Sequence, residues 1–271
     1  MDSITAPPTL AALKTPATAN PYVPAWSAFA GTYYLSNGCP FVGAGTTSID
    51  PALLAQLRTK TTYPPLAYPS FPNSETTVLA PVVQRDTTGL TLGWHYDPID
   101  YMGVCAISNA TLLLTNGVVL GLYGNSLMWL EGGTQLISQG APNQRNYLVY
   151  WNGVQEWPTY PNLYPLSGVL LQQPAAFGHL SNPFIFLRLT SVCAPTGETV
   201  LWQSEDSPLE ISGLTLQDCE IYGSGAAWQM NESANTPVVG FTNNIFHRVP
   251  FAVNSAAKIT SYNNLFAGRR T

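Results

Sequence analysis

Asp218 and Glu220, two residues apart, are the carboxylates in this sequence best spaced for acid–base chemistry. On a strand they would lie about 6.6 Å apart on one face, a separation within the range that inverting glycosidases use. His247 and Arg248 follow a later, similar segment and would overhang the same groove, where an arginine can bind the carboxylate of a uronate. The alternative is a solvated acidic pair on an outer turn and an ordinary surface arginine.

A second set of acids, Asp86, Asp97 and Asp100, supplies the hard oxygen ligands that calcium prefers. The alternative is a turn in which aspartate side chains cap nearby backbone groups. The three histidines are too scattered in the sequence to indicate a metal site, and the four cysteines form no Cys-x-x-Cys pair. Calcium is therefore the one cofactor that the sequence leaves open.

Four aromatic residues stand in or next to a proline-rich stretch at 155–165: Trp151, Trp157, Tyr160 and Tyr164. A loop of this kind, inserted between structural repeats, would protrude and could stack its rings on sugars. The alternative is that the loop folds back over an edge of the protein. The four residues are therefore candidates for glycan contact.

The charge content of the chain is low, at 9% of residues, with ten Lys and Arg against fifteen Asp and Glu. Only three lysines occur (Lys14, Lys60 and Lys258), so no basic face can neutralise phosphates and we expect no nucleic-acid partner. A hydrophobic content of 45% indicates a buried core rather than disorder. The 22 glycines and 23 prolines favour short strands joined by frequent turns.

The most hydrophobic window, 112–130, is long enough to raise the question of a membrane span. Turn signals at Asn116-Gly117 and at Gly124-Asn125-Ser126 interrupt it, so we interpret it as several buried strands. No signal peptide is visible at Met1-Asp2-Ser3. Low charge with many Thr, Asn, Ser and Tyr is common in extracellular proteins, and we expect an extracellular or cell-surface location.

One helix and a long series of strands are predicted. Asp50 is placed as the N-cap and Pro51 as the first residue of a helix that runs from Ala52 to Lys60. After residue 104, strand-like runs follow one another without intervening helices, which excludes a doubly wound α/β fold. These runs are predicted at 111–115, 118–123, 127–131, 135–138, 147–151, 169–172, 184–190, 200–203, 209–212 and 214–216.

A repeat is clearest near the C-terminal end of the sequence. The motif Asn-Asn-apolar-Phe at 243–246 recurs at 263–266, and the segment 214–221 fits the same frame as 239–246, one repeat upstream. A fainter match aligns Thr111 with Thr134. A period of about 20–25, with three strands in each repeat, indicates a solenoid of stacked coils. Asn244 and Asn264 would then form a ladder of stacked amides.

This pattern resembles the right-handed parallel β-helix proteins of the pectate-lyase-like superfold. The resemblance implies that Cys219, Asn244 and Asn264 share a ladder position. It also places Cys193 about one coil before Cys219, which leaves open either a disulfide or two free thiols. Segments 39–46 and 92–96 look like the closing motifs of many bacterial β-helices, as found in large, uncharacterised multi-module secreted proteins.

The expected fold is therefore all-β: a right-handed parallel β-helix preceded by an irregular, turn-rich segment with one short helix. We expect a linker or loosely ordered arm at 1–31, an irregular segment resembling the end of a preceding β-helix at 32–103, and a β-helix at 104–271. Because Asn263-Asn264 is as regular as Asn243-Asn244, we expect further coils or modules of the same polypeptide. The alternative is that another subunit covers this end.

The preferred functional hypothesis is an exported or cell-surface module that acts as a scaffold or adhesin and contacts glycans. The competing hypothesis is a polysaccharide lyase or glycoside hydrolase of the same superfold. The enzyme would need clustered carboxylates or basic residues on one parallel sheet, and the scarcity of charge favours the non-enzymatic module.

Overall fold

A computed structural model gives the architecture. It describes residues 34–35, 39–68, 75–87, 89–103, 105–122, 128–131, 133–150, 169–173, 183–193, 199–203, 212–222, 228–230, 238–249, 251–253 and 258–268. The arm expected at 1–31 and most of the strand predicted at 209–212 lie outside this part of the chain.

The described part contains one helix and 21 strands. In chain order they are α1 (Pro51–Leu57), β1 (Leu66–Tyr68), β2 (Thr76–Leu79), β3 (Tyr101–Gly103), β4 (Cys105–Ser108), β5 (Thr111–Leu114), β6 (Val119–Leu122), β7 (Met128–Glu131), β8 (Gln135–Gln139), β9 (Asn146–Tyr150), β10 (Val169–Gln173), β11 (Phe184–Arg188), β12 (Thr190–Cys193), β13 (Thr199–Gln203), β14 (Gly213–Gln217), β15 (Glu220–Tyr222), β16 (Trp228–Met230), β17 (Val238–Thr242), β18 (Ile245–His247), β19 (Phe251–Val253), β20 (Lys258–Tyr262) and β21 (Leu265–Ala267).

These strands form three sheets in which all strand pairings are parallel. From β2 onward, the chain contributes one strand to the first sheet, one to the second and one to the third, in that order. We call each such set of three consecutive strands a round, and each round lies against the round before it. The first sheet has the order β2-β5-β8-β11-β14-β17-β20, the second β1-β3-β6-β9-β12-β15-β18-β21, and the third β4-β7-β10-β13-β16-β19. The protein is thus mostly β, with parallel sheets of stacked strands, and this arrangement is compatible with a parallel β-helix.

The observed register confirms the two strongest repeats. Val238 pairs with Lys258, and Gly213 pairs with Val238, at the two offsets that the repeated motifs predict. The fainter match was wrong by one residue, because Thr111 pairs with Gln135 and not with Thr134. A slip of one residue would turn the buried Leu112 and Leu114 to the outer face.

The helix and the strands near the N-terminal side differ from expectation in their extent. Asp50 is the N-cap, since its Oδ1 accepts hydrogen bonds from the amides of Ala52 and Leu53, but the helix ends at Leu57, three residues earlier than predicted. Strands β1, β2 and β3 pair with β3, β5 and β6 respectively. Strand pairing is therefore continuous across residue 103, where the sequence suggested a change of segment.

The core lies between the three sheets. Buried apolar side chains of successive strands stand in register, so they form columns that run from round to round. Along the first sheet, alternate residues of strands β5, β8, β11, β14 and β17 are buried, as in Leu136, Ile185 and Leu214, whereas all five residues of β20 are exposed. The hydrophobic window 112–130 contributes β5, β6 and part of β7, as the strand interpretation predicted. Within the described residues, the structure contains no helix long and apolar enough to cross a membrane.

Candidate functional site

The outer face of the second sheet gathers polar and aromatic side chains. On β15, Ile221 faces the core, so its neighbours Glu220 and Tyr222 point outward. On β18, Phe246 is the buried residue and His247 is exposed. Parallel pairing places these residues in two columns, which we call the second-sheet outer face: Tyr147, Ser191, Glu220 and Ile245 in one, and Val149, Cys193, Tyr222 and His247 in the other. Ser191 and Val149 are buried, whereas Tyr147, Tyr222, Ile245 and His247 are exposed.

Of the four acid–base candidates, the structure brings Glu220 and His247 to this face. They occupy diagonal positions on neighbouring strands, because Tyr222 is the residue directly paired with His247. Diagonal neighbours of this kind are about 7–8 Å apart, within reach of long side chains. Arg248 lies at the bend after β18, with a φ of 55°, and its amide donates to the carbonyl of Ala267.

Asp218 does not share a strand face with Glu220. Its φ of 55° places it in a left-handed bend between β14 and β15, a conformation that Asp and Asn tolerate better than most residues. Its Oδ1 accepts a hydrogen bond from Nδ2 of Asn243 at 3.1 Å. Of the two interpretations of this pair, the shared strand face does not hold, because the chain turns between the two acids, and Asp218 lies on an outer turn as the alternative states.

Glu220 has an ionic partner that the sequence did not indicate. Nη1 of Arg145 lies 3.3 Å from Oε1 of Glu220, without a hydrogen bond of good geometry. Both side chains are partly exposed, so this ion pair contributes little to stability. It does place a positive charge beside the carboxylate on the second-sheet outer face.

The thiol and the phenol of this face are held in their neutral forms. Burial raises the pKa of Cys193, against an opposing hydrogen bond with Tyr222. Burial also raises the pKa of Tyr222, against an opposing hydrogen bond with Ser191. A raised thiol pKa is the reverse of what activates a cysteine nucleophile. The group Ser191, Cys193 and Tyr222 is thus suited to neutral hydrogen bonding.

The residues aligned as a ladder meet at the bend between the first and second sheets. Nδ2 of Asn244 donates to Oδ1 of Asn264 at 2.9 Å, and Oδ1 of Asn244 accepts from the amide of Cys219 at 2.9 Å. This is the contact that the alignment predicted. Asn146 makes the equivalent bonds three rounds earlier, since its Oδ1 accepts from the amide of Val118. An outer ladder runs beside it through Asp218, Asn243 and Asn263.

Cys193 and Cys219 are both free thiols. Cys193 pairs in register with Tyr222 and not with Cys219, because the round there is longer than the sequence spacing of the two cysteines. Cys193 also faces outward, whereas Cys219 is buried, and its Sγ lies 3.3 Å from the carbonyl oxygen of Leu187. The disulfide that the resemblance left open is therefore not formed.

We expect native Cys219 to be about 100-fold less reactive toward iodoacetamide at pH 8 than in the unfolded chain. Burial raises its pKa from 9.0 to about 11, so the reactive thiolate is scarce. By linkage, stability should fall as the pH rises from about 9 through 11, since the unfolded thiol ionises first. Peptide mapping of alkylated protein measures each thiol, with the partly exposed Cys39 as internal control. Equal native and unfolded rates for Cys219 would contradict this expectation.

The three calcium candidates are not brought together. Asp86 accepts from the amide and hydroxyl of Thr91 and contacts Nε2 of His95 at 2.8 Å. Asp97 is exposed and pairs with Lys60, while the buried Asp100 is bound by Arg85 and by backbone amides. In the described ranges, no group of three or more His, Cys, Asp or Glu side chains lies together as a metal site would require.

The aromatic residues expected to contact glycans, Trp151, Trp157, Tyr160 and Tyr164, lie outside the described residues. Two aromatic residues that the sequence analysis did not select, Tyr147 and Tyr222, each leave 37% of their surface exposed on the second-sheet outer face. Their alternation with the buried Leu148 and Ile221 is the signal that could have identified them.

The fold and this face together define a mostly-β protein of stacked parallel sheets, with exposed tyrosine and histidine side chains and one ion pair on the second-sheet outer face. No protein-family model, curated protein or solved structure matches the chain.

Proposed function

We propose that the complete fold is a right-handed parallel β-helix of the pectate-lyase-like kind. The support is the constant order in which each round contributes to the three sheets, together with parallel pairing throughout. The Asn ladder at a single corner, from Cys219 through Asn244 to Asn264, also supports it. In such a fold, each outward residue repeats at the strand spacing of about 4.8 Å.

We propose that the protein is an exported or cell-surface module, acting as a scaffold or adhesin, that binds glycans along the second-sheet outer face. One observation carries this proposal: Tyr147 and Tyr222 are each 37% exposed on the same face, near the polar groups of Glu220 and His247. Aromatic rings stack on the apolar C–H surface of sugars. The tyrosine hydroxyls, the carboxylate and the imidazole then supply hydrogen bonds to sugar hydroxyls.

The partners of the two carboxylates, Glu220 and Asp218, favour binding over catalysis. A lyase or hydrolase needs an acid and a base that are available to substrate. On the second-sheet outer face, Glu220 is paired with Arg145, and no second carboxylate lies directly beside it in register among the described residues. The nearest acid in sequence, Asp218, is committed to the outer ladder.

We expect Tyr147→Ala and Tyr222→Ala each to weaken polysaccharide binding by about 3- to 10-fold, the effect of losing one stacking ring. The matched control is Tyr262→Ala, which removes an exposed tyrosine from the first sheet and should leave binding unchanged. Affinity electrophoresis in gels containing polygalacturonate, xylan or mannan measures the dissociation constants, after a glycan array has selected the polysaccharide. Equal losses in all three variants would contradict a site on the second sheet.

The same preparations distinguish the module from an enzyme. Incubation with each polysaccharide should release no reducing ends, and binding should persist unchanged over hours. Release of reducing ends that is abolished by Glu220→Gln would establish the competing hypothesis of a lyase or hydrolase. Absence of binding to every polysaccharide on the array would remove the glycan proposal.

A further inference from the structure

The side chain of Tyr222 is held by two residues of the neighbouring strand β12. Ser191 and Cys193 stand on either side of Val192, which faces the core. The phenol of Tyr222 hydrogen-bonds with the hydroxyl of Ser191 and with the thiol of Cys193. Cys193 is the register partner of Tyr222, whereas Ser191 stands two residues earlier and is its diagonal neighbour. The hydroxyl of Tyr222 therefore lies over β12 and not over its own strand, β15.

These contacts determine how the Tyr222 ring lies on the sheet. Side chains of a strand stand roughly perpendicular to the sheet, and an upright tyrosine would carry its hydroxyl away from both strands. A ring that leans across β12, nearly parallel to the sheet, instead brings its hydroxyl to Ser191 and Cys193. One face of the ring then rests on the sheet while the other faces outward, in agreement with the 37% exposure of Tyr222.

The burial of Ser191 also agrees with a ring that lies across β12. Ser191 is 1% exposed, although its column contains Tyr147 and Ile245, which are 37% and 42% exposed. A serine side chain is too small to exclude water from itself, so neighbouring side chains must cover it. A hydroxyl buried in this way does not touch a ligand on the surface, and any effect of Ser191 on binding passes through a neighbour.

Tyr147 stands on the other side of Ser191. It is the register partner of Ser191 on β9, whereas Tyr222 reaches Ser191 from β15. Burial is the main cause that raises the pKa of Tyr222, and the nearby phenol of Tyr147 raises it further. Ser191 thus lies between the two aromatic residues of the candidate glycan site.

We propose that Ser191 is a positioning residue for glycan binding: its hydroxyl, with the thiol of Cys193, fixes the Tyr222 ring across β12 with one face open to a sugar. This inference rests on the proposed glycan-binding function. Aromatic rings stack on the apolar C–H surface of sugars, and a ring already fixed in that orientation loses less freedom on binding. Ser191 contributes this preorganisation without touching the ligand.

Affinity electrophoresis with the polysaccharide selected on the array tests the positioning role. Ser191→Ala should weaken binding about 2- to 10-fold, because the freed ring must be ordered when the sugar binds. Tyr222→Phe keeps the ring without its hydroxyl and should show a similar loss, whereas Ser191→Thr keeps a hydroxyl and should bind normally. In a Tyr222→Ala background, Ser191→Ala should have no further effect. The matched control is Thr215→Ala, a partly exposed threonine on the first sheet, which should leave binding unchanged.

The ionisation of Tyr222 gives a readout that requires no glycan. Burial raises the pKa of Tyr222, and the opposing hydrogen bond with Ser191 lowers it. Ser191→Ala should therefore move the ionisation of Tyr222 to higher pH, while Ser191→Thr and Thr215→Ala should not. Titration by NMR of protein isotope-labelled at Cζ of tyrosine measures this shift, and the spectrum of Tyr222→Phe assigns the resonance.

The two measurements separate the possible failures. An unchanged ionisation of Tyr222 in Ser191→Ala would overturn the contact itself, whatever happens to binding. A shifted ionisation with unchanged binding would overturn the positioning role, while weaker binding by Tyr222→Ala would still support the glycan site. A loss of binding that persists without the Tyr222 ring would mean that Ser191 acts by another route, and it would also overturn the role. If no polysaccharide binds, the positioning role falls together with the proposed function.

Discussion

Replacement of Asp100 by alanine is expected to lower the free energy of unfolding by about 3–5 kcal/mol, the range for removing one partner of a buried ion pair. The carboxylate of Asp100 is fully buried and accepts hydrogen bonds from both terminal nitrogens of Arg85, at 2.7 and 3.1 Å. It also accepts from three backbone amides, those of Val82, Val83 and Val119. Alanine would leave the three amides and Nη2 of Arg85 without this acceptor, while Nη1 of Arg85 would keep only the carbonyl of Val83.

Urea unfolding followed by far-ultraviolet circular dichroism measures this effect. Asp97→Ala is the matched control, because Asp97 stands three residues away, is 59% exposed and forms a surface ion pair with Lys60. Its loss should change stability by no more than about 0.5 kcal/mol. Asp100→Asn keeps an oxygen acceptor but loses the charge, so it should fall between the two. Similar values for Asp100→Ala and Asp97→Ala would contradict the role given to Asp100.

Asn244→Ala is expected to cost about 2–4 kcal/mol, because the side-chain amide of Asn244 is bonded at both ends inside the protein. Its Oδ1 accepts from the amide of Cys219, and its Nδ2 donates to the carbonyl of Leu216 and to Oδ1 of Asn264. The side chain is buried, so water cannot replace these bonds. Loss of the side-chain amide leaves the Cys219 amide without this acceptor and the Leu216 carbonyl without this donor. Oδ1 of Asn264 keeps the backbone amide of Asn244 as a donor.

The neighbouring position provides the control for this prediction. Asn243 is exposed and bonds to Asp218 and Asn263 in the outer ladder. Its φ of 56° makes glycine the replacement that keeps the backbone unstrained. Asn243→Gly should therefore lower the unfolding free energy by less than about 1 kcal/mol. A larger loss at Asn243 than at Asn244 would show that the outer ladder, and not the buried one, specifies the stacking of the rounds.

Much of the strand pattern could be predicted from the sequence because strands with one buried side alternate apolar and polar residues. Strands β5, β8, β13 and β14 lie within one residue of their predicted bounds at each end. The run predicted at 184–190 is instead two strands of different sheets, β11 and β12, separated by Leu189 with a φ of 46°. Leucine carries no turn signal, so the neighbouring round, whose Gln217 carbonyl accepts from the Leu189 amide, imposes that bend.

The contact of Asn244 with Asn264 was recognisable because two copies of the same motif follow each other closely in the sequence. Asn146 has an equivalent role but stands in no such motif, and its own round is much longer, since Gln135 pairs with Phe184. Similarly, the calcium hypothesis for Asp86, Asp97 and Asp100 rested on closeness in sequence. The fold gives each acid different partners, including Thr91, Lys60 and Arg85.

The sequence by itself determined the mostly-β class, the parallel stacking and the ladder corner, because these depend on short-range alternation and on a short repeat. Only the tertiary structure decided which residues share the second-sheet outer face, since Arg145, Tyr147, Ser191 and Tyr222 come from three rounds of unequal length. Register between rounds is set by burial of the apolar columns, and a difference of one residue in a round moves a side chain from the core to the surface. Asp218 and Glu220, two residues apart, ended in different environments because the chain bends from the first sheet to the second between them.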